Sequence, residues 1–249
     1  MNKTELEYYS DLANWSFDDI NYVSENFTNW IYEEEIKKRI KKDSKVLDLG
    51  TAAGEKVLAN YPECCEILGT DFSSAMIKTA NNNLSKSGRT DVTFKVMNNL
   101  EMNTENDYYD LVTARHTIID PKQIYKTLKP GGVLVVRGVD KLDCWNLKRC
   151  FNRGQAYHDV NPISSIDYEA ILDAGFKDVE LIPLHVIEYY KTKQDLIKTP
   201  ILDDFSKEAE NNNQKKMIEE DVFEKYIKEN TTSKGIKLVR RYYGIIAKK

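Results

Sequence analysis

A glycine-containing turn follows a short apolar segment near residue 50. Residues 46–49 are apolar except for Asp48, a pattern typical of a buried parallel strand, and a helix is predicted to begin near Glu55. The glycines and alanines of residues 50–54 allow the backbone to approach a ligand closely, and the helix start offers unpaired N–H groups. Tight packing alone could also require such a turn, so the turn by itself is a weak indication of ligand binding.

An acid ends the next predicted strand. Asp71 follows the strand-like segment of residues 66–70 and precedes a segment predicted to be helical from Ser74. In nucleotide-binding α/β proteins an acid at this position accepts hydrogen bonds from the ribose hydroxyls of an adenosine. The alternative is that Asp71 caps the following helix, and one carboxylate could serve both purposes. Together, the turn and the acid favour binding of an adenosine-containing ligand over packing alone.

The spacing of the glycines distinguishes between adenosine ligands. A dinucleotide-binding turn requires the pattern GxGxxG, and here its three glycine positions hold Gly50, Ala52 and Glu55. A glutamate at the third position would crowd the contact between helix and strand and repel a pyrophosphate, so NAD is disfavoured. The GxxxxGK[ST] pattern of ATP-binding P-loops is absent from the sequence.

The elements that must position these residues alternate along the chain. Helix-like segments, such as residues 74–86 and 122–128, separate further strand-like segments. The further predicted strands are residues 92–96, 109–114, 132–136 and 179–182. This alternation predicts a doubly wound α/β fold, in which helices cover both faces of a parallel sheet.

Four passages of the sequence, within residues 46–54, 68–77, 109–116 and 128–136, together resemble the class I S-adenosylmethionine-dependent methyltransferases. That family carries an acid and glycines in a DxGxGxG-like loop, an acid ending the second strand, and an LKPGG turn before the fifth strand. The counterparts here are residues 48–54, Asp71 and residues 128–132, in that order. The resemblance covers roughly residues 43–140, and the three motifs together are specific to this family, whereas each alone is not.

The resemblance implies a fold and a reaction. The fold would be Rossmann-like, with a mostly parallel seven-stranded sheet whose final strand is antiparallel. The reaction would transfer a methyl group from S-adenosylmethionine, which becomes S-adenosylhomocysteine, and no metal is expected.

The resemblance also implies a cofactor site. The turn would border the methionine part of the cofactor, Asp71 would hold the ribose, and Phe72 and Met76 would pack on the adenine. The expected cofactor-binding residues are Asp48, Gly50, Thr51, Ala52, Gly54, Asp71, Phe72, Met76, Asn98, Asn99 and Arg115.

Two positions depart from the family pattern. Asn98 lies where the family usually has an aspartate that accepts a hydrogen bond from the adenine amino group; an amide oxygen can still accept it, without the charge. Ala52 adds a methyl group to the loop, and we expect a right-handed or extended backbone there, because alanine tolerates the left-handed conformation poorly. These departures leave a non-catalytic cofactor-binding protein of the same fold as an alternative.

The expected acceptor site lies where the predicted strand of residues 109–114 ends. Arg115 and His116 are the candidate catalytic residues, since the pKa of a histidine suits proton removal near neutral pH. The alternatives are an ion pair for Arg115 and simple packing for His116. Arg137 could pair with an anionic acceptor or be structural, and aromatic residues at helical spacing are more often core. The candidate substrate-contacting residues are Tyr8, Tyr9, Trp15, Arg137, Tyr189 and Tyr190.

We expect one domain with two additions to its core. Residues 1–42, rich in aromatic and acidic side chains, are predicted to form an N-terminal helical cap. Residues 43–184 would form the cofactor-binding core, residues 185–235 a late helical insertion that could be a substrate lid, and residues 236–249 the final strand.

Charge and composition favour a small-molecule acceptor. The formal net charge of −4 disfavours a nucleic acid, because phosphate binding requires a basic face.

No segment approaches the ~20 uninterrupted apolar residues of a membrane helix. No export signal is evident at the first residues, so we expect a cytoplasmic protein with reduced cysteines. Cys144, Cys150 and His158 have a spacing that fits no familiar metal site. Methylation of RNA or protein is the alternative, and the sequence does not specify the oligomeric state.

Overall fold

A computed structural model describes residues 20–205 and 219–249 of the chain. The strands in these residues are β1 (Tyr22–Asn26), β2 (Lys45–Leu49), β3 (Glu66–Asp71), β4 (Val92–Val96), β5 (Tyr109–Arg115), β6 (Leu128–Val139), β7 (Lys177–Tyr190), β8 (Thr231–Thr232) and β9 (Gly235–Lys248). The helices are α1 (Tyr32–Lys37), α2 (Glu55–Asn60), α3 (Ser74–Ser87), α4 (Pro121–Thr127), α5 (Trp145–Phe151), α6 (Ile163–Asp173), α7 (Lys193–Ile197) and α8 (Glu220–Asn230), with a 3₁₀ helix at Pro200–Phe205.

All the strands belong to one sheet. Its order is β1-β7-β9-β6-β5-β2-β3-β4, and β8 pairs with β9. Strands β2 to β6 pair in parallel, whereas β9 runs antiparallel to both β6 and β7. The Rossmann-like fold class with an antiparallel final strand is therefore confirmed.

The described part of the sheet has nine strands rather than the expected seven. The two additional strands are antiparallel edge pieces: β1 pairs with the second half of β7, and β8 folds back on the start of β9. Neither was recognised in the sequence, because β1 carries mixed polar residues and β8 has only two residues.

Two segment predictions need correction. The described part of the expected helical cap contains β1 as well as α1, and the expected helical insertion begins in a strand, since β7 continues to Tyr190. Over this length β7 pairs with β1 on one side and β9 on the other, which satisfies its backbone groups without a helix. Within the expected insertion, the first helix is α7.

Apolar side chains alternate along the strands and form a core on each face of the sheet. On one face, Leu47, Val112 and Leu134 pack with residues of α4 and α6. On the other face, Val46 and Leu111 pack with residues of α1, α2 and α3. Burial on both faces explains the nearly continuous apolar strands of the sequence.

A third core joins the later helices to the sheet. Phe151 of α5 and Phe223 and Tyr226 of α8 pack with Tyr190 and Leu238, from the ends of β7 and β9. No helix in the described residues is both long and apolar enough to cross a membrane. Because β2 to β6 are parallel, their carboxyl ends lie along a single edge of the sheet, where the candidate site is found.

Candidate active site

The turn after β2 has a left-handed backbone at three positions. Gly50, Ala52 and Gly54 have φ angles of 70°, 50° and 75°. The expectation of a right-handed or extended Ala52 is therefore wrong. The conformation is held by a hydrogen bond from the Ala52 N–H to Asp71 Oδ2 (3.0 Å) and by one from the Thr51 N–H to the Thr70 carbonyl (2.8 Å).

Neighbouring side chains of the chain itself fill the space beside both glycines. A Cβ on Gly50 would lie 2.6 Å from Thr117 Cβ, and a Cβ on Gly54 would lie 2.5 Å from Phe94 Cζ. Internal packing and left-handed φ angles therefore account for both glycines. The glycines alone give no evidence for a ligand, and the polar groups around the turn must carry that argument.

Asp71 ends β3 and lies against this turn. Its Oδ2 accepts the Ala52 N–H, and its Oδ1 accepts the N–H of Ser73 at 2.9 Å. Each oxygen retains a further lone pair, which could accept a hydroxyl. Burial raises the pKa of the Asp71 carboxyl, although the two N–H donors oppose this shift. The carboxylate thus connects the end of β3 to the turn after β2.

Asp48 lies below the turn and is buried. Its Oδ1 accepts hydrogen bonds from the hydroxyls of Tyr61 and Thr113, both at 2.7 Å. Burial raises the pKa of this carboxyl, and the two hydroxyl donors counteract the shift. Asp48 therefore supports the strand that ends in the turn, and its expected contact with the cofactor stays a prediction.

Phe72 and Met76 follow Asp71 closely. Phe72 is half-buried, so part of its ring surface is accessible beside the carboxylate. Met76 is buried in the first turn of α3, and its N–H donates to the side-chain oxygen of the N-cap residue Ser73 (3.2 Å). Asp71 also receives the Ser73 N–H, so it contributes to this helix start as well as to the crevice.

The two asparagines after β4 differ in their surroundings. Asn98 is exposed, and its Oδ1 accepts the N–H of Leu100 at 3.0 Å. Asn99 is buried, and its Nδ2 donates to Thr117 Oγ1 (3.0 Å) and to the Ile118 carbonyl (3.2 Å). Its Oδ1 is buried without a hydrogen-bond partner in the described residues. Asn99 is thus the asparagine with an unused buried acceptor, and Thr117, which the sequence did not single out, connects it to Gly50.

Arg115, His116 and Arg137 lie together at the ends of β5 and β6. Arg115 and Arg137 are directly opposite each other in the strand register, and the His116 N–H donates to the Arg137 carbonyl at 2.8 Å. The side chains also meet, because Arg137 Nη1 donates to His116 Nε2. The Tyr242 ring of β9 stacks on His116 with centroids 5.3 Å apart, and the guanidinium carbon of Arg137 lies 4.0 Å from the centre of that ring.

The electrostatic environment keeps His116 neutral. Packing against neighbouring groups and the positive charges of Arg137, Arg115 and Arg240 lower the pKa of the imidazole well below its usual 6.5. Because His116 keeps an exposed surface, we attribute the lowered pKa mainly to the nearby positive charges and less to burial. Its Nε2 already accepts a hydrogen bond from Arg137. A neutral imidazole with that lone pair engaged orients the arginine and is a weaker base than the sequence suggested.

Tyr189 and Tyr190, two other predicted substrate contacts, do not lie beside Arg115, His116 and Arg137. Tyr190 has no exposed surface, donates its hydroxyl to Glu188 at 2.7 Å and packs in the third core. Tyr189 is buried and donates to Glu25 of β1 at 3.2 Å. Both lie on β7 well beyond Ile182, which pairs with Gly244 opposite Arg137. Their placement contradicts a role in lining the acceptor pocket. The remaining three candidates, Tyr8, Tyr9 and Trp15, lie outside the described residues.

Two cavities lie beside the sheet. One of about 340 Å³ is lined by residues that include Leu100, Ile119 and Asp120, next to the segment that carries Asn99. A larger one of about 780 Å³, lined by Lys42 and Cys64 among others, lies near the amino ends of β2 and β3, at the opposite edge of the sheet. Among the described residues, no three His, Cys, Asp or Glu side chains are grouped as metal ligands would be.

Comparison with known proteins supports the fold and the family. A family model described as a methyltransferase domain matches residues 40–234. The release factor glutamine methyltransferase of Flavobacterium psychrophilum is 26% identical over 174 residues, which are 64% of this chain and 60% of that protein. The chain thus spans less than two thirds of the length of this relative.

Solved structures share the fold at low sequence identity. A protein of unknown function from Deinococcus radiodurans superposes with a TM-score of 0.64 and 14% identity, covering 97% of this chain and 98% of that chain. An S-adenosylmethionine-dependent methyltransferase from Aquifex aeolicus gives a TM-score of 0.52 and 12% identity, covering 100% and 98% of the two chains. At such identities these likenesses show the fold alone.

Proposed function

Because the chain belongs to the methyltransferase-domain family, whose model spans residues 40–234, we propose that it transfers the methyl group of S-adenosylmethionine to a small-molecule acceptor. The observation that carries this proposal is the position of Asp71. Its carboxylate is fixed between the ends of two adjacent parallel strands and keeps acceptor capacity on both oxygens.

The polar groups around Asp71 fit an adenosine ligand. Two ribose hydroxyls can donate to the carboxylate, and the half-buried ring of Phe72 can pack on the adenine. The buried, unpartnered Oδ1 of Asn99 is an acceptor of the kind that an adenine amino group requires. We therefore assign adenine recognition to Asn99 in preference to Asn98, whose oxygen is used within its own turn.

S-adenosylmethionine supplies a methyl group that is already activated by its positively charged sulfur. The protein then has to place the acceptor in line with that methyl group, and orientation of this kind lowers barriers by about 7–11 kcal/mol in ideal cases. Asp71 and the turn fix the donor, and Arg115, His116 and Arg137 lie at the adjacent strand ends, where the acceptor would bind. His116, which is neutral and engaged by Arg137, orients this site.

A protein acceptor is the second candidate. The relative from Flavobacterium psychrophilum is named as a methyltransferase that modifies glutamine in a release factor, so its acceptor is a protein. We place the small molecule first because the candidate acceptor residues lie at the strand ends, beside the proposed donor crevice.

Isothermal titration with S-adenosylhomocysteine tests the donor site. We expect the protein to bind this product and Asp71→Asn to weaken binding by about tenfold or more, because an amide cannot accept both hydroxyls as a carboxylate does. Asp110→Asn is the matched control: Asp110 lies at the start of β5, on the opposite edge, where it contacts the Lys45 N–H and Lys129. Absence of binding by the unmodified protein would overturn the proposal.

The acceptor class is tested with a labelled methyl donor. A panel of small metabolites and a panel of unmodified proteins are incubated separately with the enzyme. Label that enters only the protein panel would support the second candidate against the first.

A further inference from the structure

Building on the proposed function, we propose that Arg115 and Arg137 bind an oxyanion of the methyl acceptor, so that the acceptor is a carboxylate- or phosphate-bearing molecule. The two guanidinium groups would form the anion site, and Arg137 is the one that lies away from the part of the crevice that would hold the donor.

The sheet register places the two arginines side by side. Arg115 of β5 pairs directly with Arg137 of β6, and directly paired residues of neighbouring strands project from the same face of a sheet. Arg137 is in turn opposite Gly244 of β9, where Trp30 packs so closely that a Cβ on this glycine would lie 2.9 Å from the indole ring. The two arginines therefore lie on the same face of the sheet, and the Trp30 ring covers Gly244, the position next to Arg137 on that face.

Neither arginine forms an ion pair in the described residues, although Glu33 attracts Arg137 and Asp48 attracts Arg115 over a longer distance. No carboxylate lies within ion-pair distance of Arg115 or Arg137 anywhere in residues 20–205 and 219–249. Two further carboxylates are used by another arginine: Arg240 binds Asp143 at 2.9 Å and Glu188 at 3.1 Å. Two adjacent guanidinium groups without a directly bonded carboxylate are an arrangement that an anion would stabilise.

A buried donor of Arg115 is also unused. Its Nε is buried and has no hydrogen-bond partner in the described residues. Leaving such a group unpaired costs on the order of 1–3 kcal/mol, and a charged group costs more. An oxyanion between the two arginines would supply the missing acceptor.

Arg137 is held in place before any ligand binds. Its guanidinium carbon lies 4.0 Å from the centre of the Tyr242 ring, and its Nη1 donates to His116 Nε2. The other nitrogens are left to bind an oxyanion, and an arginine can do so with two parallel hydrogen bonds. His116 and Tyr242 are thus positioning residues for this arginine.

The position of Arg137 in the sheet separates this site from the donor's own carboxylate. The proposed donor crevice lies at the ends of β2 and β3, whereas Arg137 belongs to β6, which is separated from β2 by β5. Adjacent strands are about 4.8 Å apart, so Arg137 lies on the order of 10 Å across the sheet from β2.

Binding of simple anions tests the proposal. Inorganic phosphate and malonate are titrated into the full chain by calorimetry at constant ionic strength, with and without saturating S-adenosylhomocysteine. We expect the unmodified protein to bind at least one of the two anions, and Arg137→Gln and Arg115→Gln each to weaken it by about tenfold or more. Arg149→Gln is the matched control, because it removes an exposed arginine of α5, and it should change the affinity by less than about twofold.

Arg137→Lys provides a second variant if Arg137→Gln fails to fold. Lysine keeps the charge and loses the planar fork, so an intermediate affinity for the anion is expected. Anion affinity that is the same in the unmodified protein and in both Arg137 variants would overturn the proposal, as would absence of phosphate and malonate binding by the unmodified protein.

A cofactor comparison separates the two possible sources of the anion. S-adenosylhomocysteine and 5′-methylthioadenosine share the adenosine part, but only the first carries a carboxylate. We expect Arg137→Gln to bind both as the unmodified protein does. Selective loss of S-adenosylhomocysteine binding would mean that Arg137 holds the donor's carboxylate, and the proposal would be wrong. If the unmodified protein binds neither nucleoside, the proposed function fails, while the anion titrations without nucleoside still decide whether the arginine site exists.

Discussion

The backbone N–H of Ala52 donates a hydrogen bond to the carboxylate of Asp71, with 3.0 Å between the nitrogen and Oδ2. This bond connects the turn after β2 to the end of β3, two places that are 19 residues apart in the chain. It holds an alanine in a left-handed conformation that alanine disfavours, and it fixes the acid beside the turn.

Replacing Ala52 with glycine should preserve or increase stability. The left-handed backbone costs an L-residue about 1–2 kcal/mol, while glycine loses about 0.5–1 kcal/mol through greater freedom of the unfolded chain. We expect the free energy of unfolding, measured by urea denaturation, to increase by 0 to about 1.5 kcal/mol. Ala53→Gly is the control: Ala53 is buried and has no positive φ, so the same change there should destabilise by about 1 kcal/mol. A clear loss of stability in Ala52→Gly would contradict the left-handed assignment.

The affinity for S-adenosylhomocysteine should fall in acid sooner than an ordinary aspartate would require. Burial raises the pKa of Asp71 above the usual 3.8 of an aspartate carboxyl. Only the ionised carboxylate of Asp71 accepts hydrogen bonds from both ribose hydroxyls. The affinity for S-adenosylhomocysteine is therefore highest above the raised pKa and falls as the pH drops through that pKa. Titrations at several pH values between about 4 and 7 measure this loss. Asp71→Asn, which cannot ionise, should show weak binding without that acid-side change.

His116 should resist protonation. Its pKa lies well below 6.5, and Arg137 is one of the charges that lower it. Below the pKa that His116 has in the unfolded chain, protonation favours the unfolded state. The protein is therefore expected to lose stability as the pH falls from that value towards the lower pKa of the folded state. The imidazole proton signals in NMR titrations report the pKa, and His116→Gln identifies the signal among the three histidines. In Arg137→Gln the pKa of His116 should rise; an unchanged value would exclude the charge of Arg137 as a cause.

Arg240 should be essential for stability. It is buried and binds two carboxylates, Asp143 through two nitrogens (2.9 and 3.0 Å) and Glu188 (3.1 Å). Arg240→Met would leave both acids buried without their partner, which costs about 3–5 kcal/mol in comparable pairs. The free energy of unfolding in urea measures this loss. Lys129→Met, which breaks a partly exposed pair with Asp110, should cost no more than about 1 kcal/mol.

Much of the fold could be predicted because its signals are local. The apolar segments of β2 to β6 and the helical spacing of α3 and α4 gave the strand and helix order to within a few residues at most ends. Since parallel strands bring their carboxyl ends to one edge, this order was sufficient to expect Asp71 beside the turn. The edge strand β1 was missed because its residues lack clear alternation, and pairing with β7 compensates for that weak local preference.

The candidate site depended more on contacts between distant residues. Nothing local distinguishes Asn98 from Asn99, and only the approach of Thr117 shows which one is buried. Tyr190 was a candidate substrate contact because it lies in the expected insertion, yet β7 extends to Tyr190 and places it in the third core.

By itself, the sequence determined which elements form, their order, and the group of residues at the strand ends, because apolar periodicity and turn chemistry act within a few neighbouring positions. Only the tertiary structure decided that Ala52 is left-handed, that His116 is engaged by Arg137, and that two arginines lie side by side. These properties depend on the register of strands that are far apart in the chain. The direction of each side chain and the charge it meets are therefore set by packing, not by local sequence.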